Sequence, residues 1–576
     1  MGTSCRKASV EKPWMQFYPA EYRVPLIEDM TLGQFLQYHN TNHDKAVVEY
    51  YDEQYSLNDL MDQADQLAKS LAAMGVKEGD QIASFLRSTP AFLITLLAVE
   101  EIGASLVCRD NTLEENMEAV RNGECPVMFA HDYLTAAEEA SYYSIDTLKH
   151  IVLVSPYTHA KKETMPDYIL NSIDKLYTEK SDYDSRSLRW EDFIAQGESY
   201  TGAYRTTPDP HRPLYQPYTS GSTGPSKGII HTGASLVGVL FQLMIPTPVK
   251  VEWRCLLTLL PPALIAIVGP IMLYRISTTD LIILDPFCEE VDIDLEFMRY
   301  RPNQMIAVPM MADIIRLSKR IPEDYDMSFL LVIGGGADPM HNKWLNKMQD
   351  FLQKHHSPAV FSMCYGMSEV GSAVCNPHAN SSFQNCGSGI PMQHTTIAIF
   401  AQDSQEELDY NQVGEVCVHG PSLMMGYNNR PEETAKTLQT HPDGLQWVHT
   451  GDYGYMNEKG ELFTLSRGIN TRFDGGPLFI TQMENKVVEV PGVDDCFFVI
   501  VRDREHPGYF LPYLYLVLDA GVAVSDIEEQ IYAVLEPHER PVRILTVEKR
   551  EYFHFKVSRR MFAAKLQAEE EQEVSQ

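Results

Sequence analysis

The chain has 576 residues, 44% hydrophobic and 22% charged, the composition of an ordinary globular protein too long for one core. Lysine and arginine number 47 against 79 aspartates and glutamates, a net charge of -32. That excludes a broad basic surface for nucleic acid or an anionic membrane, so an anionic ligand must be met by a local group of donors. The ten cysteines form no CxxC pair and no His/Cys cluster at metal spacing, so reduced, buried thiols of a cytoplasmic chain are expected. Met1–Arg6 has no apolar stretch that would mark a secretory signal.

In chain order, Trp14, Phe17, Tyr18 and Pro19 read as an aromatic arm packed on the body. Leu32–His39 reads as an amphipathic helix, Ala46–Tyr51 as a strand, and Ser56 as the N-cap of a helix running to Met74. Strands at Asp80–Leu86, Ala104–Cys108 and Val127–Ala130 then alternate with helices at Thr89–Ile102 and Leu113–Asn122, which predicts a parallel sheet covered by helices. Residues 157–212 are polar and read as a long surface excursion.

Next comes Tyr218-Thr-Ser-Gly-Ser-Thr-Gly-Pro-Ser-Lys-Gly228. Its hydroxyls, glycines and the ammonium of Lys227 suit an anion cradle, although no Gly-Lys-Ser/Thr follows as in a mononucleotide P-loop. A flexible Gly/Ser turn is the plain alternative; the run enters apolar Ile229-Ile230 instead of more linker. Cys255–Tyr274 is uncharged and long enough to span a bilayer, but Pro261, Pro262, Gly269 and Pro270 break it. A buried strand, a turn and a buried helix are expected there, and no integral membrane segment.

Short apolar strands follow at Thr258–Leu260, Leu281–Leu284, Met305–Val308 and Leu330–Ile333, the last running into Gly334-Gly-Gly-Ala337. Residues 388–465 read as a β-rich module. Strands at Phe497–Val501, Tyr513–Leu518 and Val542–Val547, with a helix at Val524–Leu535, read as a separate α+β lobe, and the end, from Ala568, as a solvated acidic tail.

The order of motifs carries more than any one of them: the Thr219–Lys227 loop, Tyr365-Gly-Met-Ser-Glu369, Gly414-Glu-Val with Gly426-Tyr427, Trp447-Val-His-Thr-Gly-Asp452, Arg467, and Lys556 in Phe555-Lys-Val-Ser-Arg-Arg560. This order resembles the adenylate-forming (AMP-binding) superfamily over roughly residues 30–565, most of all its acyl-CoA synthetases. The resemblance implies an α/β fold: a large unit, 1–466, of parallel-rich sheets with a β-rich subdomain, then a small mobile α+β unit, 467–576, hinged near 467–476. It implies ATP, Mg2+ and coenzyme A as cofactors and co-substrate, and a small carboxylic acid as substrate.

By that resemblance Thr219, Ser220, Gly221, Ser222, Thr223, Gly224 and Lys227 hold the β- and γ-phosphates, Ser368 sits at the α-phosphate, and Glu369 holds Mg2+. Tyr365, with Gly366, stacks on adenine, Asp452 accepts from the ribose hydroxyls with Arg467 assisting, and Gly335, Gly336 and Ala337 form the wall between adenine and acyl chain. Lys556 reaches the reacting carboxylate, so Lys556, Thr219, Lys227 and Glu369 are the expected catalytic residues. Departures are legible too. Phe555 stands where a glycine usually precedes the lysine, the segment Gly468–Gly476 is one residue short, and Leu260–Gly269 has no histidine. The apolar Ala263–Val268 favours a fatty or other hydrophobic acid. Two alternatives stay open: loading of a carrier-protein phosphopantetheine, and a nucleotide- or acyl-binding protein without catalysis.

Overall fold

The computed structural model describes residues 6–18, 29–179, 182–218, 226–244, 252–336, 340–376, 387–473, 475–553, 556–557 and 559–575. Among them, two sheets are largely parallel. One orders its strands Phe361–Met363, Val332–Gly335, Gln304–Ile306, Arg254–Thr258, Leu281–Asp285, Ala46–Tyr50 and Glu53–Ser56, with only the last pair antiparallel. The other runs Gly426–Tyr427, Ile229–Thr232, Pro213–Pro217, Ser105–Cys108, Gln81–Ser84, Val127–His131, His150–Val154 and Ser187–Arg189, parallel from Pro213–Pro217 onward. The near-continuous burial of these strands is what a sheet covered on both faces demands.

The helix Pro90–Glu101 is apolar all round and wholly buried but for its last turn, whereas Leu57–Ala73, capped by Ser56 through a reciprocal bond with Asp59, turns one face outward. A third, antiparallel sheet comprises Tyr365–Met367, Ser372–Asn376, Gly387–Pro391, Leu462–Arg467, Gln446–Met456, Gly414–His419 and Thr396–Phe400, with Leu438–Thr440 attached. The aromatic arm lies on it: Trp14 is 1% exposed, Ser9 donates twice to Glu407, and the Tyr18 hydroxyl donates to the Pro391 carbonyl. Pro19 lies outside the described residues.

The small unit has its own core. Strands Val493–Arg502, Phe510–Leu518 and Arg543–Thr546 pack with helices Ile480–Val488 and Val524–Val534, and a separate pair joins Tyr552–Phe553 to Lys556–Val557. The mixed α/β fold with its small carboxy-terminal domain is therefore as expected.

Three local expectations are corrected. Residues 157–212 are not an irregular excursion: helices Asp167–Asp174 and Trp190–Glu198 bury Ile169, Ile173, Trp190 and Phe193. A few apolar residues at helical spacing are enough to anchor a short helix in polar surroundings. The strand expected at Thr258–Leu260 is Arg254–Thr258, because Leu259 turns to positive φ and ends it. The strand expected at Leu330–Ile333 runs Val332–Gly335, taking two glycines into the sheet. The expected acidic tail from Ala568 has the backbone of the helix Arg559–Ser575. As expected, Cys255–Tyr274 folds as strand, turn and buried helical turns, and no helix among the described residues is long and apolar enough to cross a membrane. No disulfide joins any two of the eight described cysteines.

Candidate functional site

Strand Pro213–Pro217 delivers Tyr218, which bridges to Gly228 and so brings the two stems of the hydroxyl-rich loop side by side. Thr219, Ser220, Gly221, Ser222, Thr223 and Gly224 lie outside the described residues. Lys227 is described and half-buried. Strand Ile229–Thr232 leaves the loop and pairs with Gly426–Tyr427, which sets the Lys227 ammonium 4.6 Å from the centre of the Tyr427 ring. The Tyr427 hydroxyl donates to Glu369 Oε1 at 2.8 Å, and burial followed by the Glu369 charge pushes that hydroxyl's pKa up.

Glu369 is buried in the one-turn helix Ser368–Val370, which several bonds fix. The Met424 N–H donates to the Glu369 carbonyl at 2.9 Å, and the Ser422 hydroxyl to the Val370 carbonyl at 2.7 Å. His231 Nε2 lies 2.8 Å from the Ser368 carbonyl oxygen. Burial pulls the pKa of the His231 imidazole down to about 4, so the ring is neutral near pH 7. One carboxylate oxygen serves Tyr427, and a carboxylate's remaining acceptor capacity suits a hard cation. Glu369 belongs to no group of three protein donors among the described residues. Mg2+ keeps waters and phosphate oxygens as most of its ligands, so one carboxylate oxygen is a sufficient contribution from the protein.

A second limb is built on the antiparallel sheet. The Tyr365 hydroxyl donates to Asp452 Oδ2 at 2.8 Å, and burial plus the charge of Asp452 raises its pKa well above the usual phenol range. Asp452 stands opposite exposed Arg467 in the strand register. Just before it, Gly451 takes φ 72°, where a side chain is strained; its N–H donates to Glu415 at 3.0 Å and its carbonyl accepts from Gly468 at 2.7 Å. Gly366 lies between Tyr365 and Met367 so close to the neighbouring strand that a Cβ there would sit 2.0 Å from the Ser372 carbonyl oxygen. Gly335 ends its strand and Gly336 follows; Ala337 lies outside the described residues. Lys556 is placed in its short strand, and its side chain, like Phe555, lies outside them.

Tyr427, His231 and Glu415 are the members of this region that sequence reasoning left without a role. Glu415 also belongs to a group of three metal-type donors that forms across two strands. Its carboxylate, the Cys417 thiol and a ring nitrogen of His449 lie within 4.8 Å of one another. Glu-x-Cys puts two side chains on one face of a strand, and pairing of Cys417 with His449 adds the third. That alternation was the available signal. Leu260, Ile265, Ile267 and Val268 are buried in the main core, the last three in helical turns that run on through Gly269 and Pro270.

A family model for AMP-binding enzymes matches residues 35–428. The 4-coumarate–CoA ligase CCL1 of Humulus lupulus is 24% identical over 478 residues, covering 81% of this chain and 80% of that protein. The 4-coumarate–CoA ligase 1 of Narcissus pseudonarcissus is 28% identical over 327 residues, 55% of this chain and 57% of that protein. Among solved structures, the anthranilate CoA ligase AuaEII in complex with anthranoyl-AMP superposes with a TM-score of 0.76 at 16% identity, covering 95% of this chain and 99% of that chain. The amide bond synthetase McbA from Marinactinospora thermotolerans superposes with a TM-score of 0.73 at 19% identity, covering 93% and 99%. At such identities these superpositions speak for the fold alone. Adenylate-forming CoA ligases use ATP and Mg2+, with CoA as co-substrate. With the family model matched over more than half its length, and the motifs in order, this chain belongs to the family of AMP-binding, adenylate-forming enzymes.

Proposed function

We propose that the chain is a cytoplasmic ATP-dependent acid–thiol ligase, which activates a hydrophobic carboxylic acid, fatty or aromatic, as an acyl-adenylate and passes the acyl group to CoA. The junction of Lys227, Tyr427 and Glu369 carries the reading, with Tyr365 on Asp452 beside it. Residues from four separated motifs meet there. In the first step an oxygen of the acid bonds to the α-phosphorus and the bond to pyrophosphate breaks. Two anions must be brought together, so neutralisation and alignment are the tasks. In this reading Thr219–Gly224 and Lys227 hold the β- and γ-phosphates, Ser368 the α-phosphate, and Glu369 the Mg2+. When bound there, Mg2+ would neutralise phosphate charge.

Tyr365 and Gly366 flank the adenine and Asp452, assisted by Arg467, holds the ribose; Gly335, Gly336 and Ala337 line the wall. Lys556 reaches the reacting carboxylate. In the second step the CoA sulfur bonds to the acyl carbon and AMP leaves. The large unit would be residues 1–466 and the lid 467–576, turning near 467–476. Gly468 still bonds to Gly451, while three residues on the Thr471 carbonyl accepts from Phe510 of the small unit, which supports a pivot there. The uncharged sequence Ala263–Val268 favours a hydrophobic acid, and the two relatives named for 4-coumarate put aromatic acids first in any panel.

The test is pyrophosphate release with ATP and Mg2+ across aromatic and fatty acids, followed by CoA, a holo carrier protein or an amine as acceptor. Acid-dependent release and an acyl-CoA product are expected. Thioester on the carrier alone, or amide alone, favours a different acceptor; the McbA superposition and Phe555 before Lys556 are the reasons to include both. No release with any acid, while ATP binds, overturns the ligase reading. Lys556→Ala is expected to abolish release and leave ATP affinity within about twofold, since a charge delivered for the reaction adds little to ground-state binding.

A further inference from the structure

Each carbonyl of the Ser368–Val370 turn is held by a different donor. Met424 holds that of Glu369 and Ser422 that of Val370, both from the segment leading to Gly426–Tyr427. The Ser368 carbonyl accepts from the Gly371 N–H at 3.1 Å, inside the turn itself, and from His231, 137 residues distant in sequence. His231 is fully buried and sits on the strand that begins two residues after Lys227. A carbonyl oxygen only accepts, so Nε2 carries the ring proton and Nδ1 is left as an acceptor. Ser235 Oγ lies 3.1 Å from Nδ1 and itself accepts from the Thr232 N–H at 3.0 Å. The single Ser235 hydroxyl proton is shared between Nδ1 and the Thr232 carbonyl at 3.0 Å, while Nε2 has the Ser368 carbonyl as its acceptor.

We propose that His231 is a positioning residue for the Ser368–Glu369 turn, setting the distance between the lysine of the phosphate loop and the carboxylate that holds the metal. The proposal rests on the assignment of Lys227 and Glu369 to Mg2+ and ATP made above. The turn keeps Gly371, Met424, Ser422 and Tyr427 when the histidine is replaced by an apolar residue, and the Ser368 carbonyl still has one donor. The loss therefore falls on placement more than on folding.

The test compares wild type with His231→Gln, His231→Asn and His231→Leu by calorimetric titration of ATP, with and without Mg2+, alongside thermal melting. Gln offers an N–H near the position of Nε2; Asn offers one only near Nδ1; Leu offers none. The Leu and Asn variants are expected to lose about fivefold to tenfold in ATP affinity with Mg2+ present, the size of one hydrogen bond, and less than about twofold without it. The Gln variant is expected to stay near wild type, and all three to melt within a few degrees of it. Equal losses with and without Mg2+, unchanged binding in the Leu variant, or a Gln variant as weak as Leu would each overturn the proposal. Wild type that binds ATP with Mg2+ but releases no pyrophosphate overturns the ligase reading alone and leaves this comparison intact. Wild type that does not bind ATP overturns both.

Discussion

At the scale of single residues, the site is a set of carboxylates each steadied by a phenol. Tyr427 donates to Glu369 and Tyr365 to Asp452, so neither acid relies on water to fix its rotamer. For Asp452 the arrangement has a direct consequence in binding. A carboxylate accepting from two ribose hydroxyls makes charge-assisted bonds worth about 1.5–3 kcal/mol each, and one already oriented loses less entropy on binding. With Asp452 holding the ribose as proposed, Asp452→Ala is therefore expected to raise the KM for ATP by at least about a hundredfold, with the KM for the acid within about twofold. Pyrophosphate-release kinetics at varied ATP and fixed acid measure it; a parallel rise in both constants would show that the change acts on the acyl side.

At the scale of elements, the strand Tyr365–Met367 is the narrowest fit in the site. Gly366→Ala places a methyl 2.0 Å from the Ser372 carbonyl oxygen, so the strand must move outward. We expect the bond between Tyr365 and Asp452 to break, ATP binding to weaken, and stability to fall by on the order of 1–3 kcal/mol, as for other forced insertions into packed structure. Melting and ATP titration of that variant measure the two effects separately. The strands around this site were legible where alternation or apolar runs marked them: Val127–Ala130 and Leu281–Leu284 needed only their own residues. Arg254–Thr258 was displaced because its first residue is charged and an apolar pair, Leu259-Leu260, lies just beyond its end. Asp167–Asp174 was missed because Ile169 and Ile173 are its main core contribution amid polar neighbours. The motif residues Glu369 and Asp452 were legible through their order along the chain. His231 was not, since its partner is a main-chain carbonyl and leaves no trace in residue types.

At the scale of the whole molecule, the large and small units are joined by a charged contact. Arg550 grips Asp495 through two bonds of 2.7 Å, His341 reaches the same carboxylate from the large unit, and Lys347 pairs with Asp494. The Arg550 charge and the hydrogen bond from His341 outweigh burial and hold the Asp495 pKa well below the usual carboxylate range. Within the large unit, burial lowers the pKa of His131 to about 3 and those of His159 and His231 to about 4. A group whose folded pKa is depressed binds its proton more readily when unfolded, so the stability it contributes is present above about pH 6.5 and is lost as pH falls. Each of the three is expected to remove up to about 1.4 kcal/mol per pH unit between about pH 6.5 and its folded value. Urea unfolding of the large unit at pH 7.5, 6 and 5 measures the slope, and replacing His131 with glutamine is expected to make it shallower by about one proton. The amino-terminal arm adds a constraint of another kind, one of timing. Ser9 and Trp14 are translated nearly 400 residues before Glu407 and the sheet that covers them. At ordinary ribosomal speeds the arm waits on the order of tens of seconds for its partner. Through that interval its tryptophan has no sheet to bury it, so the sheet bearing Asp452 is completed by residues made long before its own strands.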